Sequence, residues 1–205
     1  MSKIQVDTID TRSGTSTMQI GSTNTSTINI GVSGDTVNIP SGVTIANAGT
    51  ATGFGESNTP YFLARLDGNQ NVSDLTQTTL IFDEEGLDSG SGYDTSNGKY
   101  TIPSGEGGKY YFEVHAEGDG GGAGGLIQVA VYIFNGASEI ARGSVNLDNT
   151  RGDIMSASAS TLINCSAGDE ITCKGLVDNV SGSNTRFAGE SGKNRTYFLG
   201  FKVAS

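Results

Sequence analysis

LIQVAVYIFNG, residues 126–136, decides the fold class. From Leu126 to Phe134 the run is dominated by apolar, β-branched and aromatic side chains. Alternation places Ile127, Val129, Val131 and Ile133 on one face of a strand, and the Asn135-Gly136 pair that follows is a strong signal for a tight hairpin. Residues 138–145 are then the return strand. Just upstream, KYYFEVHA (109–116) puts Tyr110, Phe112, Val114 and Ala116 on one face. Further out lie YFLARL (61–66), TTLIFD (78–83), KYTIP (99–103) behind an Asn97-Gly98 turn, MSASASTLIN (155–164), EITCKGLV (170–177) and YFLGFKV (197–203). Roughly eight to ten short strands in about 145 residues predict an all-β fold, a sandwich or jelly roll.

Composition agrees. Glycine accounts for 31 of 205 residues, proline for 3 and charged residues for 17%. No long stretch carries the 3.6-residue apolar spacing of a helix. The formal net charge is −10, and the 12 lysines and arginines do not cluster along the chain. A phosphate backbone would be repelled by most of such a surface, so nucleic acid is not an expected partner. No apolar run is long enough to span a bilayer, and the opening MSKIQVDTIDTRSG has no apolar signal core. Cys165 and Cys173 flank the turn-like Ser166-Ala167-Gly168-Asp169. In a hairpin on that turn, Cys165 would face Glu170 and Cys173 would face Leu162, so no disulfide is expected.

The chain changes character near residue 57. Before it stand four acidic residues, two basic residues and one aromatic, Phe54. This part repeats a phrase: TMQIG at 17–21, TINIG at 27–31 and TVNIP at 36–40. Alternation puts Met18 with Ile20, Ile28 with Ile30 and Val37 with Ile39, and Val43 with Ile45 continues the pattern. A strand this short cannot bury its apolar face alone. Several identical chains wrapped about one axis can, which makes the phrase one rung of an intermolecular β-stalk. The competing reading is a Thr- and Asn-rich linker with accidental periodicity. The expected organisation is an attachment segment over 1–16, a repeat-containing β-stalk and connection over 17–57, and a head over 58–205.

The phrases of the head, in their order, resemble those of the complement C1q and tumour-necrosis-factor superfamily. The resemblance rests on Tyr93 and Asp94, on Gly98, Tyr100, Thr101 and Pro103, on Tyr111 and Phe112, on Asn135 and Gly136, on Gly168 and Asp169, and on Phe198, Gly200 and Phe201. It implies a C1q/TNF-like jelly roll of ten strands that assembles as a homotrimer, often on a fibrous stem. There is no collagen repeat before the head, and EGDGGGAGGL (117–126) is unusually rich in glycine. The N-terminal repeats look like those of bacteriophage tail-fibre and virion appendage proteins. That second resemblance implies a virion location, other virion proteins as partners through the N-terminus, and a host surface glycan or envelope protein as the target of the head.

A trimer needs a seam. Gly200 would permit a close approach between Phe198 and Phe201, so Tyr111, Phe198, Gly200 and Phe201 are the candidate seam residues, unless they fill the protomer's own sandwich. Asp83, Glu84, Glu85 and Asp88 form the densest acidic group. Oxygen ligands there could hold Ca²⁺, but the spacing matches no EF-hand, and a solvated acidic loop with no cofactor is expected. Tyr93 and Asp119 are the candidate sugar contacts, since sugar sites pair an aromatic face with polar groups. His115 is the single histidine, with no nucleophile near it in sequence, and no enzyme is expected. Arg151-Gly152-Asp153 reads as a charged turn. The function expected is a trimeric fibre or appendage of a phage particle. The alternatives are a carbohydrate-binding module without virion attachment and a capsid decoration protein without a ligand.

Overall fold

The computed structural model describes residues 20, 23, 26–44, 46, 59–121, 125–147, 152–180 and 185–204. The chain divides into two compact units, Met1–Thr52 and Gly53–Ser205. All thirteen strands of the described residues belong to the second: β1 Tyr61–Arg65, β2 Gln70–Asn71, β3 Thr78–Thr79, β4 Glu84–Asp88, β5 Tyr93–Asp94, β6 Lys99–Thr101, β7 Gly108–Asp119, β8 Leu126–Asn135, β9 Ser138–Asn146, β10 Ile154–Cys165, β11 Glu170–Asn179, β12 Arg186–Phe187 and β13 Tyr197–Ala204. They form two antiparallel sheets. The first runs β4-β1-β13-β7-β10, with β12 and β2 added where β7 ends. The second runs β5-β6-β11-β8-β9, with β3 also on β11. This is the expected jelly-roll sandwich.

Alternation works as the sequence predicts along the long strands. In β7, Tyr110, Phe112, Val114 and Ala116 are all fully buried. The β8–β9 hairpin closes at Asn135 and Ser138, with Gly136 at φ +56°. The middle of the core is aromatic. Phe62 stacks on Tyr100 at 4.1 Å between ring centres and meets Phe198 edge-on at 4.8 Å, and Tyr110 stacks on Phe112 at 5.7 Å. Such rings each bury a large apolar area, and edge and offset contacts add to it.

Two local expectations fail for identifiable reasons. Residues 166–169 do turn, with Asp169 accepting the Ser166 N–H and Gly168 at φ +88°. The turn, however, joins the two sheets: β10 pairs with β7 while β11 pairs with β6, β8 and β3. Leu162 and Cys173 are therefore not hairpin partners. Both cysteines are free and buried, and burial pushes the Cys165 thiol up to about 11 and raises Cys173 well above its ordinary value. In β8, a register shift opposite Asp178 and Asn179 turns Leu126 inward, so Ile127 drops out of the buried row that Val129, Val131 and Ile133 keep.

In the first unit, residues 26–44 contain neither helix nor strand. Asp35 N–H bonds to Val32 O, and the Val32 N–H bonds back to the Asp35 carboxylate, which closes a turn at Ser33-Gly34. Ile20, Ile28, Ile30, Val32, Val37, Ile39 and Val43 are between 46 and 78% exposed. Met18 and Ile45 lie outside the described residues, as does the segment 1–16.

Candidate functional site

The outer face of the β4-β1-β13-β7-β10 sheet carries side chains that the core does not use. Strand register arranges them in rows. The first row is Leu162, Tyr111, Phe201 and Tyr61, on β10, β7, β13 and β1. The second is Ser160, Glu113, Leu199, Leu63 and Leu87. The third is Ser158, His115, Tyr197, Arg65 and Glu84. Leu162 is 59% exposed and Leu87 54%, while Tyr111, Phe201, Leu199 and Leu63 are half-buried only by one another and their own strands. Tyr111 and Phe201 meet at 5.4 Å between ring centres.

The polar groups within this face are already paired. Glu113 accepts a hydrogen bond from Tyr111 at 2.8 Å and another from Tyr197 at 2.8 Å. Burial, and then that carboxylate, push the Tyr197 phenol up to about 12, while the bond to Glu113 raises Tyr111. His115 stacks on Tyr197 at 5.5 Å, and its Nδ1 lies 2.8 Å from Ser158 Oγ. The fold thus supplies a hydroxyl neighbour for His115 from a strand 43 residues away. The pair lies on an open sheet face. Beyond the third row, Arg195 pairs with Glu117 and Arg186 pairs with Asp119 at 2.6 Å. The face therefore grades from apolar through hydrogen-bonded to ionic. Apolar centre and polar rim is the composition of a protein–protein contact.

Of the four seam residues expected from the sequence, two are on this face and two are not. Tyr111 and Phe201 face outward. Phe198 is fully buried and packs on Phe62, Phe82 and Phe112. Gly200 also faces inward. A Cβ there would stand 2.5 Å from Phe112 Cδ1 and 2.7 Å from Phe62 Cε1, so the close approach it permits is within the protomer. Residues 198 and 201 differ in parity, so strand geometry alone puts them on opposite faces. Leu199, Tyr197, Tyr61, Leu63 and Leu162 complete the face, and no spacing along the chain singles them out.

The acidic group is dispersed. Asp83 accepts the Asp67 N–H, and Asp88 accepts the N–H groups of Gly90 and Tyr93. Glu84 pairs with Arg65 at 2.9 Å and accepts the Gly192 N–H; these bonds hold its carboxyl below the ordinary value. Glu85 is exposed on the strand between them. Adjacent Glu84 and Glu85 point to opposite sides of β4, whose register shifts beyond them, and no three His, Cys, Asp or Glu side chains converge as metal ligands among the described residues. Asp169 and Glu170 are also engaged, with Asn135 and Lys99 respectively.

The expected sugar contacts do not come together either. Tyr93 is 7% exposed and stacks on Phe62 at 5.4 Å; burial raises its phenol far above the ordinary value. It borders a shallow cleft with Gly92, Asp94, Pro103 and Gly168 in the second sheet's loops. Asp119 ends β7 in the other sheet. Burial alone would raise its carboxyl, yet the Arg186 bonds and the Gly121 N–H hold it below the ordinary value. Its charge is spent inside the protein. Of the Arg151-Gly152-Asp153 turn, Arg151 lies outside the described residues, and Gly152 bridges to Leu126.

The family model of the C1q domain matches residues 62–203. Among solved structures, the chain is similar to Eiger tumour necrosis factor from S. frugiperda, at 10% identity and a TM-score of 0.52, covering 71% of this chain and 92% of that one. It is also similar to the globular domain of zebrafish complement 1qA, at 14% identity, a TM-score of 0.46, and coverage of 71% and 98%. Murine APRIL gives 13% identity, a TM-score of 0.47, and coverage of 70% and 98%. No curated protein matches the chain significantly.

Proposed function

The chain belongs to the C1q domain family, and from that premise we propose that it is a homotrimeric, non-enzymatic binding head carried on an intermolecular β-stalk, the fibre or appendage of a phage particle. One observation carries the trimer in this reading: the first and second rows leave an apolar and aromatic face, interrupted by Ser160 and Glu113, uncovered on the β4-β1-β13-β7-β10 sheet. Domains of the C1q and tumour-necrosis-factor type form homotrimers. Closed cyclic symmetry covers such a face on every copy and leaves no open end for continued growth. Glu113 suits a covered position, because both neighbouring tyrosines already satisfy its oxygens.

The repeats extend the same symmetry. Ile28, Ile30, Val37 and Ile39 are between 46 and 69% exposed in the described part of a single chain. Three chains in register supply one another's cover. The stalk presents the head, and MSKIQVDTIDT, which precedes the first rung, is the attachment end. On this reading the protein belongs to the virion, with other virion proteins as partners at the N-terminus and the host surface as the target of the head. Immunogold labelling of phage particles with an antibody to the head tests the location. Label at the tips of fibres or appendages is expected; uniformly unlabelled particles would remove the virion role while leaving the trimer to be judged separately.

A further inference from the structure

The second sheet has an outer face of different chemistry. There β11, β8 and β9 bring Lys174, Tyr132 and Arg142 into one row, through the pairs Lys174–Tyr132 and Tyr132–Arg142. The Arg142 guanidinium lies 5.9 Å from the centre of the Tyr132 ring, and the Lys174 ammonium lies 4.4 Å from the centre of the Phe134 ring. An aromatic face holds a cation in place without neutralising it. Carboxylates do neutralise the other cations: Arg65, Lys99, Arg186, Lys193, Arg195 and Lys202 are each in an ion pair. Among the described residues, Lys174 and Arg142 are in none, and the other cation in that condition is Lys109, on β7. In a chain of net charge −10, these two cations share one row, with the exposed Glu139 opposite Phe134 in the next.

We infer that this row is a binding site for an acidic saccharide, a sugar chain bearing carboxylate or sulfate groups. Lys174 and Arg142 stand on strands two spacings apart, roughly 9–10 Å. Each donates charge-assisted hydrogen bonds to an oxyanion, and Arg142 offers a two-pronged one. Tyr132, half-buried between them, gives a sugar ring an aromatic surface, while Phe134 is buried beneath Lys174. A nucleic acid fits less well. Duplex binding commonly neutralises several phosphates, on the order of 6–10, and here the cations number two on a strongly acidic protein. The site is on the sheet opposite the proposed seam, so it stands whether the chain is a trimer or a monomer; a trimer multiplies its avidity.

Isothermal titration calorimetry of the full chain with sulfated dextran, polygalacturonate and neutral dextran tests this site. Binding is expected to one or both acidic polymers and not to neutral dextran, and which acid binds identifies the group read. The double variant Lys174→Gln/Arg142→Gln should bind at least about tenfold more weakly, as expected for the loss of two charge-assisted bonds. Lys109→Gln should bind as wild type does. If the double variant melts early, Arg142→Gln alone replaces it, since that side chain is exposed. Silence with both acidic polymers, equal binding of neutral dextran, tighter binding of duplex DNA, an unweakened Lys174 and Arg142 variant, or an equal loss in Lys109→Gln would each overturn the site.

Discussion

Gly200 shows how much one missing Cβ can decide. The sequence reading assigns it, with its flanking phenylalanines, to the contact between subunits. In the structure it stands over the aromatic core, where Phe112 and Phe62 occupy the space a side chain would take. The close approach was legible; its direction was not, because both parities of TYFLGFKV carry apolar groups and its polar residues, Thr196 and Lys202, fall on the parity that turns inward. Hydrogen-bond pairing with β7 resolves it, setting Phe198 beside buried Val114 and Phe201 beside Tyr111. Gly200→Ala should therefore lower protomer stability by about 1–3 kcal/mol through overpacking, without a change in subunit composition. Urea unfolding measures the first and light scattering the second. A variant of wild-type stability that no longer assembles would return Gly200 to the seam.

At the scale of elements, periodicity carried furthest where one face is wholly buried. β7 is legible because Tyr110, Phe112, Val114 and Ala116 alternate with polar groups and with Tyr111. The turn after Cys165 was legible as a turn but not as a crossing between sheets, since the same four residues serve either connection. The N-terminal phrases present the converse case: a clear period with no ladder among the described residues. Their isoleucines test the stalk. Burying one is worth roughly 1.5–3 kcal/mol, and in a trimer each substitution acts three times. Ile30→Asn should expose residues near 30 to early protease cleavage while the head stays intact, as mass spectrometry of the fragments reads directly. Equal protease resistance in variant and wild type would show that these side chains do not line a buried axis.

For the molecule as a whole, the two sheets divide the work. One outer face is apolar and aromatic, graded towards ion pairs; the other carries the row of Lys174, Tyr132 and Arg142. Neither grouping could be read along the chain. Lys174 and Arg142 are far apart in sequence and brought together only through β8, and Tyr61, Phe201, Tyr111 and Leu162 share a row only because β1, β13, β7 and β10 are neighbours. The family's motifs do lie in the sequence, and they are mostly core and turn residues, so they disclose the fold more readily than its surfaces. The central claim is that the first of these faces joins three copies. Sedimentation equilibrium of the full chain, beside the Phe201→Asp variant, measures this most directly. Phe201 is half-buried and outward-facing, so a carboxylate there leaves the core intact while placing a charge in the covered rows. A trimer joined by this face requires a wild-type mass near 63 kDa, three times the 21.1 kDa chain, and a folded variant near 21 kDa. A monomeric wild type, or a variant that remains at three copies, would contradict it.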